Sequence, residues 1–418
     1  MEEVEARDAN LVTDQQDPTP FEVSPIKMCA TSRVKIALPD DHQRCYDGDY
    51  EVHILCDNTE ITMDSWLHGT DDETNDSDYD DYGTDDHISE GEISDSDYEV
   101  DYQPSNSQIY KAYWRRQRII ENSHGHVVIE VWRATVLQNS GSYWVITNEE
   151  VALKCMSREH VLLSRGSTQE DFVKEIAALQ YLSEFCNGYY DNMEGESSQQ
   201  SHVMTANTIM ADEAHAFIVM PYCANGDILT QVFNSDHRSP SGTKCFTEAT
   251  AKYWFKQMLA GLRTLQNAHL CHRDLSPENF ILSDNTTLVI DFGMCLRIPY
   301  TTDGRRHRIT RQARCGKAPH RAPEIQYQEP FDGHAVDIWA TGTVLLYMLQ
   351  GTRGTIYEDG PTKVVNDLSR LVEDHNASGH NELGLSFNAL DLLCKMFQPE
   401  PENRLTLDQI CAHPFVQS

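Results

Sequence analysis

From residue 109 onward, apolar and polar positions follow the periods of a mixed strand-and-helix domain. Ile119-Ile120, Val127 to Leu137 and Tyr143 to Met156 read as three strands, the last two joined by the turn residues Asn139-Ser140-Gly141-Ser142. A helical period covers 169–184, and two further strands fit 203–210 and 215–222. Beyond Gly226 the period is mostly helical, over 247–267, 334–350, 363–374, 387–397 and 407–412. No unit of about 20–50 residues repeats. The pattern predicts an α+β chain: a five-stranded antiparallel lobe with one main helix over 109–222, then a mainly helical lobe over 224–418.

Upstream the texture changes. Val34-Lys35-Ile36-Ala37-Leu38 and Tyr50 to Leu55 alternate like short strands. They suit a small ordered patch or a docking segment, although an isolated hairpin is marginal. Not one Lys or Arg lies between Arg44 and Lys111, and 71–101 is packed with Asp, Glu, Ser and Tyr. Such a stretch repels itself and offers too little apolar surface to offset the entropy of ordering. Residues 57–105 are expected to be disordered, and 1–108 as a whole to form an acidic, largely disordered region.

Charge sharpens that division. Residues 1–105 hold 30 acidic and five basic side chains, so −25 of the formal −33; the remainder, 36 against 28, carries −8. A polyanionic region argues against nucleic acid as a partner. No apolar run approaches the ~18 residues of a membrane span, and no apolar stretch follows Met1 as a secretory leader would. The 12 cysteines show no C-x-x-C spacing. They read as reduced thiols of a cytoplasmic or nuclear protein, not as a disulfide frame or a zinc site.

The candidate chemistry sits in His272-Arg273-Asp274-Leu275-Ser276-Pro277-Glu278-Asn279, then Ile290-Asp291-Phe292-Gly293, then Ala322-Pro323-Glu324, with Val151-Ala152-Leu153-Lys154 upstream. In order and spacing these resemble the catalytic loop, the metal-binding D-F-G, the end of the activation segment and the strand lysine of eukaryotic protein kinases. The resemblance covers about 110–418. It implies a bilobal fold that moves the γ-phosphoryl group of ATP, with Mg²⁺, to Ser or Thr hydroxyls of protein substrates. By the same resemblance Asp274 would accept or orient the substrate hydroxyl, and Asn279 and Asp291 would ligate Mg²⁺. Lys154 would clamp the α- and β-phosphates, held by Glu175. Met220 would be the gatekeeper, the Pro221 carbonyl and the Cys223 N–H would meet adenine, and Asp227 would reach the ribose. Ala152 and Ile281 would sandwich the base. Asp337-Ile338-Trp339 resembles the helix whose aspartate braces the catalytic loop. Leu385 to Phe415 resembles the closing helices of calcium/calmodulin-type Ser/Thr kinases, with Arg404 pairing to Glu324.

Three features depart from that family. Counting back from Val131, the phosphate loop falls on His124-Gly125-His126-Val127-Val128-Ile129-Glu130-Val131, and none of its three glycine positions holds Gly; Gly125 is a neighbour. Side chains keep a backbone away from phosphates, so weaker ATP binding is expected. The two imidazoles are either substitute donors or ordinary turn residues. Ser276 stands where Ser/Thr kinases carry lysine, and Lys317 follows Gly316 where threonine is usual. Either the two have exchanged, keeping one cation beside Asp274, or Lys317 points to solvent and helps bind substrate. Finally, 294–321 carries seven Arg and Lys317 against Asp303 alone. That run is either a solvated face or the seat of the acidic tail. Arg273 also marks a segment that a phosphate on Thr301, Thr302 or Thr310 would order. An active kinase and a catalytically weak scaffold are the two readings, and intact Lys154, Asp274, Asn279 and Asp291 favour the first.

Overall fold

In the computed structural model the described residues are 15–16, 23–38, 41–45, 50–68, 111–124, 127–140, 144–164, 170–191, 201–351 and 361–418. The chain opens with β1 (Gln15–Gln16), β2 (Ile26–Val34), β3 (Ile36–Leu38), β4 (Asp41–Cys45), β5 (Tyr50–Ile61) and α1 (Met63–His68). Then come β6 (Lys111–His124), β7 (Val127–Asn139), β8 (Trp144–Ser157), α2 (Arg158–Ser164), α3 (Phe172–Asp191), β9 (Thr208–Ala211) and β10 (His215–Pro221).

The strand count corrects the expectation. The sheet has nine strands, in the order β10-β9-β2-β5-β6-β7-β8-β3-β4, and β10 also pairs with β8. The loop β8-β10-β9-β2-β5-β6-β7 is therefore closed into a barrel. The five strands anticipated from 109–222 are β6 to β10, and β2 with β5 bridges their two open edges. Two pairings are parallel, β2 with β9 and β3 with β8. An open edge leaves unpaired N–H and C=O groups, and closure satisfies them. The barrel interior is mainly apolar, with His53 against Phe217, and takes a side chain from each strand, among them Cys29, Tyr113, Val136, Leu153, Met210 and Phe217, with Leu55 packed against them.

A boundary at 108/109 therefore cuts through the sheet, since Val52 pairs with Trp114 across β5 and β6. Within the stretch expected to be disordered, 57–68 is the end of β5 and α1, with Met63, Trp66 and Leu67 buried. The rest of that expectation, 69–105, lies outside the described residues.

The second lobe follows the helical period closely. It comprises α4 (Ile228–Asn234), α5 (Glu248–Asn267), β11 (Leu270–Cys271), β12 (Phe280–Ser283), β13 (Thr286–Val289), β14 (Leu296–Arg297) and β15 (Arg308–Ile309). These are followed by α6 (Pro323–Gln326), α7 (Gly333–Gln350), α8 (Pro361–Ser378), α9 (Phe387–Met396), α10 (Leu407–Cys411) and α11 (Pro414–Gln417). Helix α7 is buried on every side, which is why its sequence is apolar all round. Asp332 caps it by accepting from the His334 N–H at 2.9 Å. Gly351 ends it at φ +78, where a Cβ would stand 2.0 Å from the Lys244 carbonyl oxygen. Among the described residues no helix is long and apolar enough to cross a membrane.

Candidate active site

Strand β8 divides its side chains by parity. Val151, Leu153 and Cys155 enter the barrel, so Ala152 and Lys154 face the other way. The register sets Val131 beside Lys154 across β7, and Met220 beside Ala152 across β10. Residues directly opposite in a sheet share a face, so Val131, Ala152, Lys154 and Met220 line one surface.

Lys154 is buried, and its Nζ lies 2.7 and 2.6 Å from the two carboxylate oxygens of Glu175 on α3. It is also 3.8 Å from Asp291 Oδ1. Burial works against the ammonium, but the Glu175 and Asp291 charges outweigh it and raise the Lys154 pKa. Burial pushes the Glu175 carboxyl up, and the ammonium pulls it back. Neither group would stay charged there without the other.

The catalytic loop is tied down from beneath. Asp337, inside α7, accepts from the His272 N–H at 2.7 Å and from the Arg273 N–H at 2.9 Å. This holds Arg273 at φ +70, a conformation that costs a non-glycine residue about 1 kcal/mol or more. The His272 ring sits between the Ile290 carbonyl at 2.9 Å and the Asp274 N–H at 3.3 Å, linking this loop to the residue before Asp291. Burial lowers the His272 pKa, so a neutral ring donates to Ile290 and accepts from Asp274.

Asp274 is fixed by its neighbours. Its Oδ1 accepts from the Lys317 N–H at 3.1 Å. The Asn279 amide nitrogen donates to the Asp274 carbonyl at 2.7 Å and lies 3.4 Å from Oδ2. Burial pushes the Asp274 carboxyl up to about 6, with Lys317 opposing and Asp291 assisting. Gly316, at φ +73, lets the activation segment come this close, because a Cβ there would stand 2.7 Å from the Arg273 carbonyl oxygen. The Lys317 ammonium is 3.0 Å from Ser276 Oγ and 3.3 Å from Glu278. Lys317 thus points into the catalytic loop.

Asp291 and Asn279 offer oxygens. The Asn279 amide nitrogen is committed to Asp274, which turns the amide oxygen to a cation. With the part-exposed Asp291 carboxylate, this all-oxygen set suits a hard ion such as Mg²⁺. Elsewhere in the second lobe, Asp227 pairs with Ile281 in an isolated bridge. One Asp227 oxygen also caps α4 by accepting from the Thr230 N–H at 2.7 Å. Cys223 is buried at the same turn. Gly125 and His126 lie outside the described residues.

The sequence reading missed Glu170. Partial burial at the cleft rim and the Asp291 charge push its carboxyl up, and a Cβ on Gly293 would stand 2.9 Å from its Cγ. No motif marks it, because only the approach of the segment before α3 to Gly293 brings it here. The Asp171 N–H donates to the Gly293 carbonyl at 3.1 Å.

The C-terminal lobe is locked by Arg404, whose guanidinium forks onto Glu324 at 2.9 and 3.2 Å and also donates to the Ala335 carbonyl at 2.6 Å. Both side chains are buried.

Comparison with known proteins agrees with this geometry. A protein kinase domain matches residues 142–416. The chain is 27% identical over 275 residues to CBL-interacting serine/threonine-protein kinase 16 of Arabidopsis thaliana, covering 65% of this chain and 52% of that protein. It is 26% identical over 290 residues to CBL-interacting protein kinase 30 of Oryza sativa subsp. japonica, covering 68% and 52%. It is 26% identical over 275 residues to the maternal embryonic leucine zipper kinase of Xenopus laevis, covering 65% and 36%. The chain spans about half the length of the first two. With the matched region taking in Lys154, Asp274, Asn279 and Asp291, the chain belongs to the protein kinase family and has its bilobal α+β fold.

Proposed function

We propose that this chain phosphorylates serine and threonine hydroxyls of proteins, using ATP. The observation that carries the reading is the Lys154 ammonium shared between Glu175 and Asp291, which ties the N-lobe helix to the metal-ligand aspartate. The name of the Arabidopsis relative, a serine/threonine-protein kinase, supplies the hydroxyl class. A bound Mg²⁺ would neutralise phosphate charge, and Asn279 and Asp291 are the residues that would hold it. Lys154 would hold the α- and β-phosphates against the face that Val131, Ala152 and Met220 form. Asp274, ionised at neutral pH, would orient the substrate hydroxyl and take its proton.

We assign Lys317 the role of the missing catalytic-loop lysine. Its ammonium reaches Ser276, the position where Ser/Thr kinases carry that cation, while its backbone holds Asp274. One cation would thus stand near the base and the transferring group, supplied from the activation segment.

A contact of the acidic tail with the activation segment is also proposed, in a reduced form. Many of that segment's cations already have partners: Arg305 with Asp303, Arg306 with Asp332, Arg308 with Glu402 and Lys317 with Glu278. The attraction left for a tail is smaller than the formal charge. Nearer Met1, β1 pairs with β15 at Gln15–Arg308 and Gln16–Ile309, so residues before the sheet do reach this segment.

The test is transfer of labelled phosphate from Mg²⁺–ATP to peptide pools that contain only Ser, only Thr or only Tyr as acceptor. Label in the Ser or Thr pool, lost with chelator, is expected. Nucleotide binding without transfer to any pool would favour the scaffold reading instead.

A further inference from the structure

The strands before residue 109 do more than close a barrel. Ser24 presents its backbone N–H and C=O to the Gln180 side chain of α3, at 3.0 Å each. Gln180 lies five residues after Glu175, about 140° further round the helix. This grip is therefore on a flank turned away from Lys154. At the far end of the same segment, the Trp66 indole N–H donates to the Asp212 carbonyl at 2.7 Å. The Arg158 guanidinium donates to the Leu67 carbonyl at 3.2 and 3.1 Å, capping α1 with a cation. Ile26, Met63, Trp66 and Leu67 are 5% exposed or less and belong to the large buried core that also takes in Val161 of α2 and Phe172 and Ile176 of α3.

Helix α3 is thus held at three places: Asp171 on the D-F-G glycine, Glu175 on Lys154, and Gln180 on the Ser24 backbone. We infer that residues 23–68 are a positioning element, built into the chain, that keeps α3 where Glu175 meets Lys154. Gln180, gripped by Ser24, and Trp66, which anchors the far end of the segment on the Asp212 carbonyl, are its positioning residues. Neither touches the nucleotide face. Without the segment, α3 would expose its apolar outer flank and lose the amide clamp, and Glu175 would be free to swing out.

The kinetic consequence rests on the kinase reading; the structural one does not. In the full chain, Trp66→Ala and Gln180→Ala should each speed amide exchange over 172–186 by roughly 10-fold while leaving α5 unchanged. The ratio kcat/KM for ATP should fall by a similar factor, with the peptide KM unmoved. Trp66→Phe, which keeps most of the apolar burial, should recover part of the loss. Adding Trp66→Ala to Glu175→Gln should cost nothing further, because the two act through one contact. Unchanged α3 exchange, or equal losses with and without Glu175, would overturn the inference and leave the segment as scaffolding only. If Trp66→Ala does not fold, Gln180→Ala, at a half-buried position, decides alone. A wild-type chain without transfer would sink the kinase reading, and the exchange measurement would still decide this one.

Discussion

In the proposed role of base, Asp274 has its readiness set by burial and by the Lys317 charge, which act in opposite directions. Burial raises its carboxyl to about 6, and the Lys317 charge holds it from rising further. The base works when deprotonated, so kcat/KM should fall as pH drops through about 6. Removing the cation in Lys317→Ala should move that acid limb toward neutral pH and lower turnover by about 10- to 1000-fold. Ser276→Lys added to that variant should restore part of both. An acid limb that stays put, measured on the free enzyme, would mean that Lys317 does not act on Asp274. Asp274, Asn279 and Asp291 were legible because their chemistry demands fixed spacing in short loops, and Lys154 because it stands in the Val-Ala-Leu-Lys run of a strand. For Lys317 the sequence left two alternatives, and its 3.0 Å contact with Ser276 supports the exchange proposed above. The capping role of Asp227 was available from an acid standing just before a helical run, but the ribose assignment drew attention away from it.

At the scale of elements, two buried contacts carry the sharpest consequences. The Arg404–Glu324 pair joins the α10 end of the helical lobe to the helix that ends the activation segment, and Arg404 spends its donors on three further carbonyls. Arg404→Ala should destabilise the C-terminal lobe by about 3–5 kcal/mol, since it strands a buried carboxylate. Calorimetry would check this; a shift within about 0.5 kcal/mol would mean that Glu324 finds water. In the barrel, His53 has a buried Nε2 with no partner, and burial together with the Arg115 charge lowers its pKa to about 4. The unfolded ring takes its proton near 6.5, so the unfolded state binds more protons between those values. The stability that neutral His53 contributes is complete above about 6.5 and lost toward pH 4, by roughly 3 kcal/mol. Exchange in β5 should therefore quicken over that window, and His53→Gln should flatten the response. The strands of β7, β8 and β10 and the long helices were legible from period alone. The pairing of β2 with β9 was not, because a parallel contact between residues 27 and 210 leaves no local mark.

For the whole molecule, charge averaged over 1–105 concealed two different segments. The acids crowd 71–101, whereas β2 and β5 bury Ile26, Cys29, Val52, His53 and Ile54 and belong to the folded lobe. A truncation at 106 would remove part of the barrel, so any test of the tail must keep residues 1–68. Replacing the Asp and Glu of 71–101 by Asn and Gln leaves the sheet intact. If the tail restrains substrate entry, that variant should show a lower peptide KM at low salt, and the difference should shrink toward physiological ionic strength as exposed charges are screened. Equal constants at both salts would leave the tail without a role in the cleft.

The most direct test of the central claim compares the full wild-type chain with Asp274→Asn, measuring Mg²⁺–ATP binding and labelled transfer to a Ser/Thr peptide pool side by side. Asp274 touches no part of the nucleotide face described above, so binding should persist within about twofold. Transfer should fall by at least about 1000-fold. A wild type that transfers no more label than Asp274→Asn, with both binding nucleotide, would contradict the account.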